Sequence, residues 1–221
     1  MAYNSRFHLI HLFILTVLVA GFSACSDNER KLPIYGERDT VIKTVDGKEV
    51  TDTIYNTIPP FSFINQEGDT VSEKLVEGKI YITDFFFTTC PTICPVMKRQ
   101  MIKVFNDIKG KPDVMILSHS IDPEHDTPQV LKKYAQDLGV EGPQWQFLTG
   151  EKEKIYEIGQ KSYLSTAKED KSAEGGYIHS GAFILVDKEK HVRGMYDGTT
   201  EEGTQKLIAD IKTLQEEYNT K

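Results

Sequence analysis

Hydrophobic and polar positions along the chain alternate between the two-residue period of strands and the 3.6-residue period of helices. The run 80–87 is apolar and aromatic apart from Thr83 and Asp84, which is typical of a strand buried on both faces. From Val96 to Ile108 apolar residues recur at helical spacing, so a helix follows this strand closely. The same alternation continues further along the chain and predicts a parallel α/β core.

The remaining predicted strands and helices complete the order of elements along the chain. Two hairpins precede the core, at 41–55 around Asp46-Gly47 and at 61–71 around Gly68. The later elements are a strand at 114–117, a helix beginning near Pro128, a strand at 145–148, a helix through 155–163, a polar mobile loop at 165–176, a hairpin at 182–186 and 192–196, and a last helix through 207–214. A β-α-β unit followed by β-β-α predicts an α/β, thioredoxin-like fold, with a central mixed sheet flanked by helices and an extra N-terminal β-hairpin.

The N-terminal segment has the features of an export signal. Its apolar run, residues 9–20, is short for a spanning helix, which needs roughly 20 apolar residues. Arg6 precedes the run, and small residues lead to Cys25. The segment resembles a bacterial lipoprotein signal, which implies cleavage before Cys25 and acylation of that cysteine; the alternative is an uncleaved N-terminal anchor.

The expected organisation is therefore a signal peptide at 1–24, a lipid-anchored tether at 25–38 and one domain at 39–221. We expect the domain in the cell envelope, on the periplasmic or external side of a bacterial membrane.

The net charge and the number of cysteines exclude some classes of function. The 221 residues include 26 Lys and Arg against 33 Asp and Glu, a net charge of -7, which argues against a nucleic-acid partner. Three cysteines, Cys25, Cys90 and Cys94, are too few for a disulfide-rich scaffold. With Cys25 assigned to the anchor, the domain holds one closely spaced pair.

The pair Cys90 and Cys94 lies where the first core strand meets its helix, and a proline follows each cysteine. We expect Pro95 at the first helical position, Cys94 as the cap and Cys90 on the preceding loop. Helix-terminal amides, with Lys98 and Arg99 nearby, favour thiolates. Three intervening residues let the pair close as a disulfide or hold one ion between two sulfurs. Two buried structural cysteines are the less favoured alternative.

Two thiolates leave a copper site incomplete, so a third ligand, most simply an imidazole, is expected. His179 is the candidate, because it precedes the late hairpin, where this fold brings a second loop against the cysteines. The other five histidines are assigned elsewhere: His8 and His11 to the signal, His119 and His125 to polar loops, although His119 is near enough to matter, and His191 to a solvent-facing turn.

Four motifs carry a resemblance to the Sco/SenC family of copper proteins: Cys90-Pro91-Thr92-Ile93-Cys94-Pro95 after an aromatic strand, the segment 120–128 (SIDPEHDTP), the segment 145–150 (WQFLTG) and Tyr177-Ile178-His179-Ser180. The resemblance implies a thioredoxin-like fold and Cu(I) or Cu(II) held by Cys90, Cys94 and His179. It implies a role in metallating the copper-A centre of cytochrome c oxidase, by delivering copper or by reducing the receiving cysteines. The family usually has an acidic residue where this chain has Thr92.

We therefore expect a metallochaperone rather than an enzyme, with the copper-A subunit of the oxidase as its partner. One rival is a thioredoxin-type thiol-disulfide oxidoreductase, but such proteins place a proline opposite the cysteines and no proline follows Pro143 here. A peroxiredoxin is a weaker rival, since Phe87 stands where that family has threonine. A copper sensor or storage protein is the third.

Overall fold

The computed structural model describes residues 31–170 and 172–220. The predicted signal peptide, Cys25 and the first part of the predicted tether lie outside these residues. None of the helices within them is long and apolar enough to cross a membrane.

The strands are β1 (Arg38–Val45), β2 (Lys48–Tyr55), β3 (Ser62–Asn65), β4 (Thr70–Ser72), β5 (Ile80–Phe86), β6 (Val114–Ser120), β7 (Trp145–Thr149), β8 (Ala167–Glu169), β9 (Tyr177–His179), β10 (Ala182–Val186) and β11 (Val192–Asp197). The helices are α1 (Cys94–Ile108), α2 (Pro128–Asp137), α3 (Lys152–Glu157), which continues into a π turn at Ile158–Ser162, and α4 (Glu201–Asn219).

A seven-stranded mixed sheet forms the centre, in the order β11-β10-β5-β6-β7-β3-β4. Strands β5, β6 and β7 are parallel, and the others pair antiparallel to their neighbours. The N-terminal hairpin β1–β2 forms a separate two-stranded sheet around Asp46 and Gly47, whose positive φ angles suit a tight hairpin turn. The mixed sheet and the extra hairpin confirm the sequence prediction.

Every residue of β5, β6 and β7 is buried, because helices cover both faces of these strands. On one face Phe105 of α1 packs on Trp145, and Tyr134 of α2 packs on Phe147. Helix α4 packs against α1. On the opposite face Tyr163, which follows α3 and its π turn, contacts Phe85. Central parallel strands of this kind require apolar residues on both faces, which explains the nearly continuous apolar run of β5.

His119 lies inside β6 and is fully buried, so its predicted place in a polar loop is wrong. Its ring packs among Phe63, Phe85 and Tyr163. The Thr83 hydroxyl donates to the Leu117 carbonyl at 2.8 Å, so it accepts from His119 Nδ1 at 3.0 Å. Nδ1 therefore carries the proton, and Nε2 faces the aromatic side chains without a hydrogen-bond partner.

The region 165–176 is not the loop that its polar composition predicts. Part of it forms β8, which pairs antiparallel with β9 so that Ala167 lies opposite His179. Ala167 is fully buried, and Gln160 Nε2 donates to its carbonyl at 2.7 Å. Gly175 and Gly176 adopt positive φ angles that reverse the chain between the strands. One buried alanine in a charged segment is too weak a pattern to predict a strand.

The end of the predicted tether is also packed on the domain. Leu32 is buried, and its amide donates to Glu217 Oε1 at 2.6 Å. Tyr35 forms a bridge with Val192 through a 2.8 Å hydrogen bond. The predicted boundary at residue 38 is therefore too late, because residues 32–35 belong to the folded body.

Burial of neutral His119 makes the fold sensitive to acid. Desolvation lowers the pKa of His119 from 6.5 to about 3, so the unfolded chain takes up this proton first as the pH falls. Stability is therefore lost progressively below about pH 6.5. Between pH 7 and pH 5 this one group should cost about 2 kcal/mol.

We expect His119→Leu to reduce the loss of unfolding free energy between pH 7 and pH 5 by that amount, measured by denaturant titration at both values. The exposed His125 provides the control, since His125→Leu should leave the acid loss undiminished. An acid loss in His119→Leu equal to that of the wild type would contradict the explanation.

Candidate metal centre

The chain leaves the sheet at the carboxyl end of β5 and enters α1 through a short loop that contains Cys90. Cys94 is the first residue of α1, preceded by Ile93 as the cap, so the predicted cap position was one residue late. The Ile93 carbonyl accepts from the Met97 amide at 2.9 Å, which starts the helical bonding. Pro95 fits the first helical turn because the amide it lacks has no intrahelical partner there.

The structure brings Cys90, Cys94 and His179 together, although 85 residues separate the last two. His179 Nε2 lies 3.2 Å from Cys94 Sγ and 4.0 Å from Cys90 Sγ. The two sulfurs and a ring nitrogen all lie within 4.8 Å of one another. The sequence therefore identified correctly which distant histidine meets the cysteine pair.

The orientation of the imidazole is fixed by its second nitrogen. His179 Nδ1 lies 3.2 Å from the Ser180 carbonyl, which can only accept, so Nδ1 carries the proton. The lone pair of Nε2 then faces the two sulfurs. Pairing of β9 with β8 holds the backbone of His179, and Phe87 packs edge-on against its ring. A histidine that donates one N–H to a carbonyl and presents the other nitrogen is the usual arrangement of a metal-binding imidazole.

The two cysteines are electrostatically distinct. A hydrogen bond from Cys94 lowers the pKa of Cys90 to about 3, and the backbone amides of Cys94 and Thr92 add to this effect against the opposing effect of burial. The pKa of Cys94 is raised, because it holds the proton shared with Cys90 and because it is buried. The metal-free pair is thus a thiolate at Cys90 beside a thiol at Cys94, with the reactive sulfur on the loop.

The cluster opens on one side to a cleft of about 210 Å³. All three side chains are nevertheless at most 9% exposed. An ion bound here would therefore be largely shielded from water yet reachable from one direction. The cleft is lined by Phe87, Cys90, Thr92, Ile93, Ala173, Tyr177, Ile178 and His179.

Asp84 is a buried carboxyl beneath the cluster that the sequence analysis did not assign to the site. It shares a small cavity with Cys94, and burial raises its pKa to about 6 despite a 2.5 Å hydrogen bond from the Ser118 hydroxyl. Trp145 Nε1 in turn donates to Ser118 at 2.9 Å. The signal was present in the sequence, since Thr83-Asp84 is the polar interruption of an otherwise apolar strand.

The loop before Cys90 is held by Asp126, which explains one part of the SIDPEHDTP motif. Its Oδ2 accepts from the Thr88 amide at 3.0 Å and from the Ser120 hydroxyl at 2.5 Å. Its Oδ1 accepts from the Thr88 hydroxyl at 2.5 Å and contacts His125 Nδ1 at 3.0 Å. The Asp126 side chain is fully buried, so these donors supply the hydrogen bonds that water would otherwise provide.

The turn between β8 and β9 packs against the cysteine loop from the other side. A Cβ on Gly175 would lie 3.0 Å from both Phe87 Cζ and Pro91 Cδ, so only glycine fits this contact without a shift. Tyr177 packs on Phe87 and donates to Asp122 Oδ1 at 2.8 Å. The segment predicted to be a mobile loop is therefore a wall of the site.

The remaining histidines of the domain do not reach the cluster. His125 is exposed and contacts Asp126. His191 is half-buried against Tyr55 and Asp187, so the predicted solvent-facing role is wrong. Asp187, Glu189 and His191 also lie within 4.8 Å of one another, but Arg193 already donates to Asp187 at 2.9 Å. One carboxylate of this second group is therefore already paired with a cationic side chain of the protein.

The donor set of the first cluster suits a soft monovalent ion. Thiolates are preferred by Cu(I), and an imidazole suits copper in either oxidation state. The fit rests on the free Nε2 lone pair and on the closeness of both sulfurs, which need no large movement to share one ion.

A family model described as SCO1/SenC matches residues 50–216. The chain belongs to the SCO1/SenC family. A solved SCO1/SenC lipoprotein from Bacillus anthracis is 32% identical, with a TM-score of 0.66, covering 72% of this chain and 95% of that one. BsSco, described as having a disulfide switch and as a member of the Sco family of cytochrome c oxidase assembly proteins, is 35% identical, with a TM-score of 0.64 and coverage of 72% and 93%. Arabidopsis thaliana ScoI with copper bound is 28% identical, with a TM-score of 0.59 and coverage of 72% and 98%.

These similarities confirm the predicted family and the thioredoxin-like fold. Thr92, the residue at which this chain departs from the family pattern noted above, places its hydroxyl 3.6 Å from Cys90 Sγ. A hydroxyl at that distance can donate weakly to the thiolate, a contact that an ionised carboxylate could not make.

Asp126 should hold the cysteine loop of this SCO1/SenC protein in its conformation, because it accepts two hydrogen bonds from Thr88. In Asp126→Asn one acceptor oxygen becomes a donor that faces the Thr88 or Ser120 donors, which should lower the free energy of unfolding by about 1–3 kcal/mol. The loop should also loosen, so Cys90 should react faster with a thiol reagent. Both quantities are measurable on the reduced protein. Glu124→Gln is the matched control, because that neighbouring carboxylate is exposed; identical stability and reactivity in the two variants would contradict the assignment.

Proposed function

We propose that this protein binds copper as its cargo through Cys90 Sγ, Cys94 Sγ and His179 Nε2. The observation that carries the proposal is the unprotonated Nε2 facing two sulfurs, at 3.2 Å from one and 4.0 Å from the other. The copper-bound Arabidopsis thaliana relative supports the choice of metal.

The charges of the three ligands are compatible with both oxidation states of the copper cargo. Two thiolates and a neutral imidazole give a net charge of -1 with Cu(I) and zero with Cu(II). Copper also replaces the shared proton of the cysteine pair, so binding releases that proton. The same three side chains can therefore hold the ion before and after a one-electron change.

We propose that the recipient is the cytochrome c oxidase subunit that carries the copper-A centre, as the description of BsSco supports. The protein would serve it by delivering copper or by reducing its cysteines. In the second case the Cys90 thiolate attacks one sulfur of the recipient's disulfide, and Cys94 then displaces the recipient's second thiol. Two electrons pass to the recipient, which gains two thiols, and a Cys90–Cys94 disulfide is left.

A thioredoxin-type oxidoreductase is the second candidate, favoured by the lowered pKa of Cys90. The imidazole lies near both sulfurs, which argues for a carrier instead, since disulfide exchange between two cysteines does not require a third donor atom close to both. A copper sensor would use the same ligands without an oxidase partner.

We further propose that Cys25 carries a lipid and holds the domain on the periplasmic or external side of a bacterial membrane. The small residues before Cys25 and the short apolar run support this attachment. The similarity to a Bacillus anthracis lipoprotein supports it as well.

Loss of the imidazole should weaken copper binding selectively. We expect His179→Ala to lower the Cu(I) affinity by at least about tenfold. Removal of a side chain that only hydrogen-bonds to a metal ligand already lowers metal affinity about tenfold or more, and loss of the ligand itself should lower it at least as much. Competition titration under reducing conditions measures this, with unfolding curves to show that the variant is folded. His125→Ala is the control and should bind as the wild type does.

Equal affinity and an unchanged copper spectrum in His179→Ala would contradict the three-ligand site. Rapid metal-free turnover of a disulfide substrate by the wild type would instead favour the oxidoreductase. Binding that survives in His179→Met, where a thioether replaces the nitrogen, would support the ligand role.

A further inference from the structure

The N-terminal segment joins the domain at the end of the sheet opposite to the metal centre. Val186 of β10 pairs with Tyr81, near the start of β5, and also with Val192, at the start of β11. Tyr35 bonds to Val192, so the incoming chain meets the sheet at the level where β5 begins. The cysteines follow the end of β5, about 20 Å further along at the rise of a seven-residue strand.

A buried arginine fixes the segment there. Arg193 is 7% exposed and donates from Nη2 to the Leu32 carbonyl at 2.6 Å and from Nε to the Pro33 carbonyl at 3.1 Å. Two carboxylates, Asp187 at 2.9 Å and Glu217 at 2.7 Å, hold the guanidinium in place. Through these charge-assisted hydrogen bonds, Leu32 is the point at which the N-terminal segment is fixed to the body.

Only seven residue steps separate Leu32 from Cys25. Even a fully extended chain of that length spans no more than about 25 Å. A lipid on Cys25 would therefore keep the attachment end of the domain within that distance of the bilayer.

Most of the exposed large hydrophobic side chains of the described residues belong to the segment that joins the domain at this end. Seven such side chains are exposed among the described residues, and five of them fall between Tyr35 and Tyr55. The hairpin β1–β2 holds four: Ile42, Val45, Val50 and Ile54. The pairing of Lys43 with Val50 and of Asp39 with Ile54 places the last three on one face of the ribbon. Two lysines and two aspartates share this face, so it carries no net charge, and one lysine and one aspartate form an ion pair: Asp39, Lys43, Lys48 and Asp52.

This ribbon stands away from the body. Of its sixteen residues only Val41, Asp52 and Tyr55 are even partly buried. Its base lies beside the attachment point, because Tyr55 packs on His191 and the Ile58 amide donates to Lys190. An isolated two-stranded hairpin is only marginally stable in water, so an apolar contact would stabilise it.

We propose that the hairpin face formed by Val45, Val50 and Ile54 rests on the lipid surface, which turns the Cys90, Cys94 and His179 cluster away from the membrane. The inference rests on the lipid attachment at Cys25 proposed above. Lipid is the occupant because an acylated Cys25 would lie within about 25 Å of Leu32, where the chain joins the body beside the base of this hairpin. In this orientation the cleft of the metal centre faces the extramembrane part of a recipient.

The orientation is tested on the acylated full chain in phosphatidylcholine vesicles, by quenching of tryptophan fluorescence with brominated lipid. Val50→Trp places the probe on the hairpin face, and Glu124→Trp places it at the opposite end, on an exposed side chain beyond β6. The wild type, whose single tryptophan is buried, gives the background. We expect strong quenching of the Val50→Trp signal and none above background for Glu124→Trp.

A hairpin control sharpens the test. Adding Val45→Thr and Ile54→Thr to Val50→Trp should reduce quenching severalfold while flotation with the vesicles persists, whereas adding Met195→Thr, at another exposed hydrophobic residue, should change nothing. Quenching of Glu124→Trp equal to that of Val50→Trp would overturn the orientation.

The other outcomes are distinct. An unquenched Val50→Trp on floating protein would overturn the lipid contact and indicate a protein partner or a second copy of the chain on the hairpin. Protein that does not float would refute the attachment at Cys25, and the orientation with it, while leaving copper binding by the cluster intact.

Discussion

The site depends on one hydrogen bond, from His179 Nδ1 to the carbonyl of Ser180. It fixes the tautomer, and so decides that Nε2 presents a lone pair to Cys90 and Cys94 instead of a proton. The pairing of β8 with β9 holds the backbone of His179, so that this lone pair lies close to both sulfurs. The β8–β9 pair and its glycine turn lie outside the central sheet. They nevertheless bring His179 to the two cysteines.

Much of this could be read from the sequence. The aromatic run before Cys90 identifies a strand buried on both faces, and the prolines mark the start of the helix, because these signals are local. The choice of His179 came from its position before the late hairpin, which is a property of the fold. The family resemblance then named copper and the oxidase.

What the sequence could not give depends on partners from other strands. The strand predicted at 114–117 ends before three polar residues that belong to β6, and each of them bonds to a polar group outside that strand: Ser118 to Asp84, His119 to Thr83 and Ser120 to Asp126. Likewise β8 is a strand only because β9 pairs with it. Buried polar groups acquire partners through tertiary structure, so a local pattern does not reveal them.

In the proposed site one copper ion is shared by two sulfurs and one imidazole. X-ray absorption spectroscopy of the reduced chain loaded with one equivalent of Cu(I) counts these ligand atoms. We expect a first shell of two sulfur atoms and one nitrogen, with the nitrogen lost in His179→Ala. A shell of sulfur alone in the wild type, or a nitrogen that persists in His179→Ala, would contradict it.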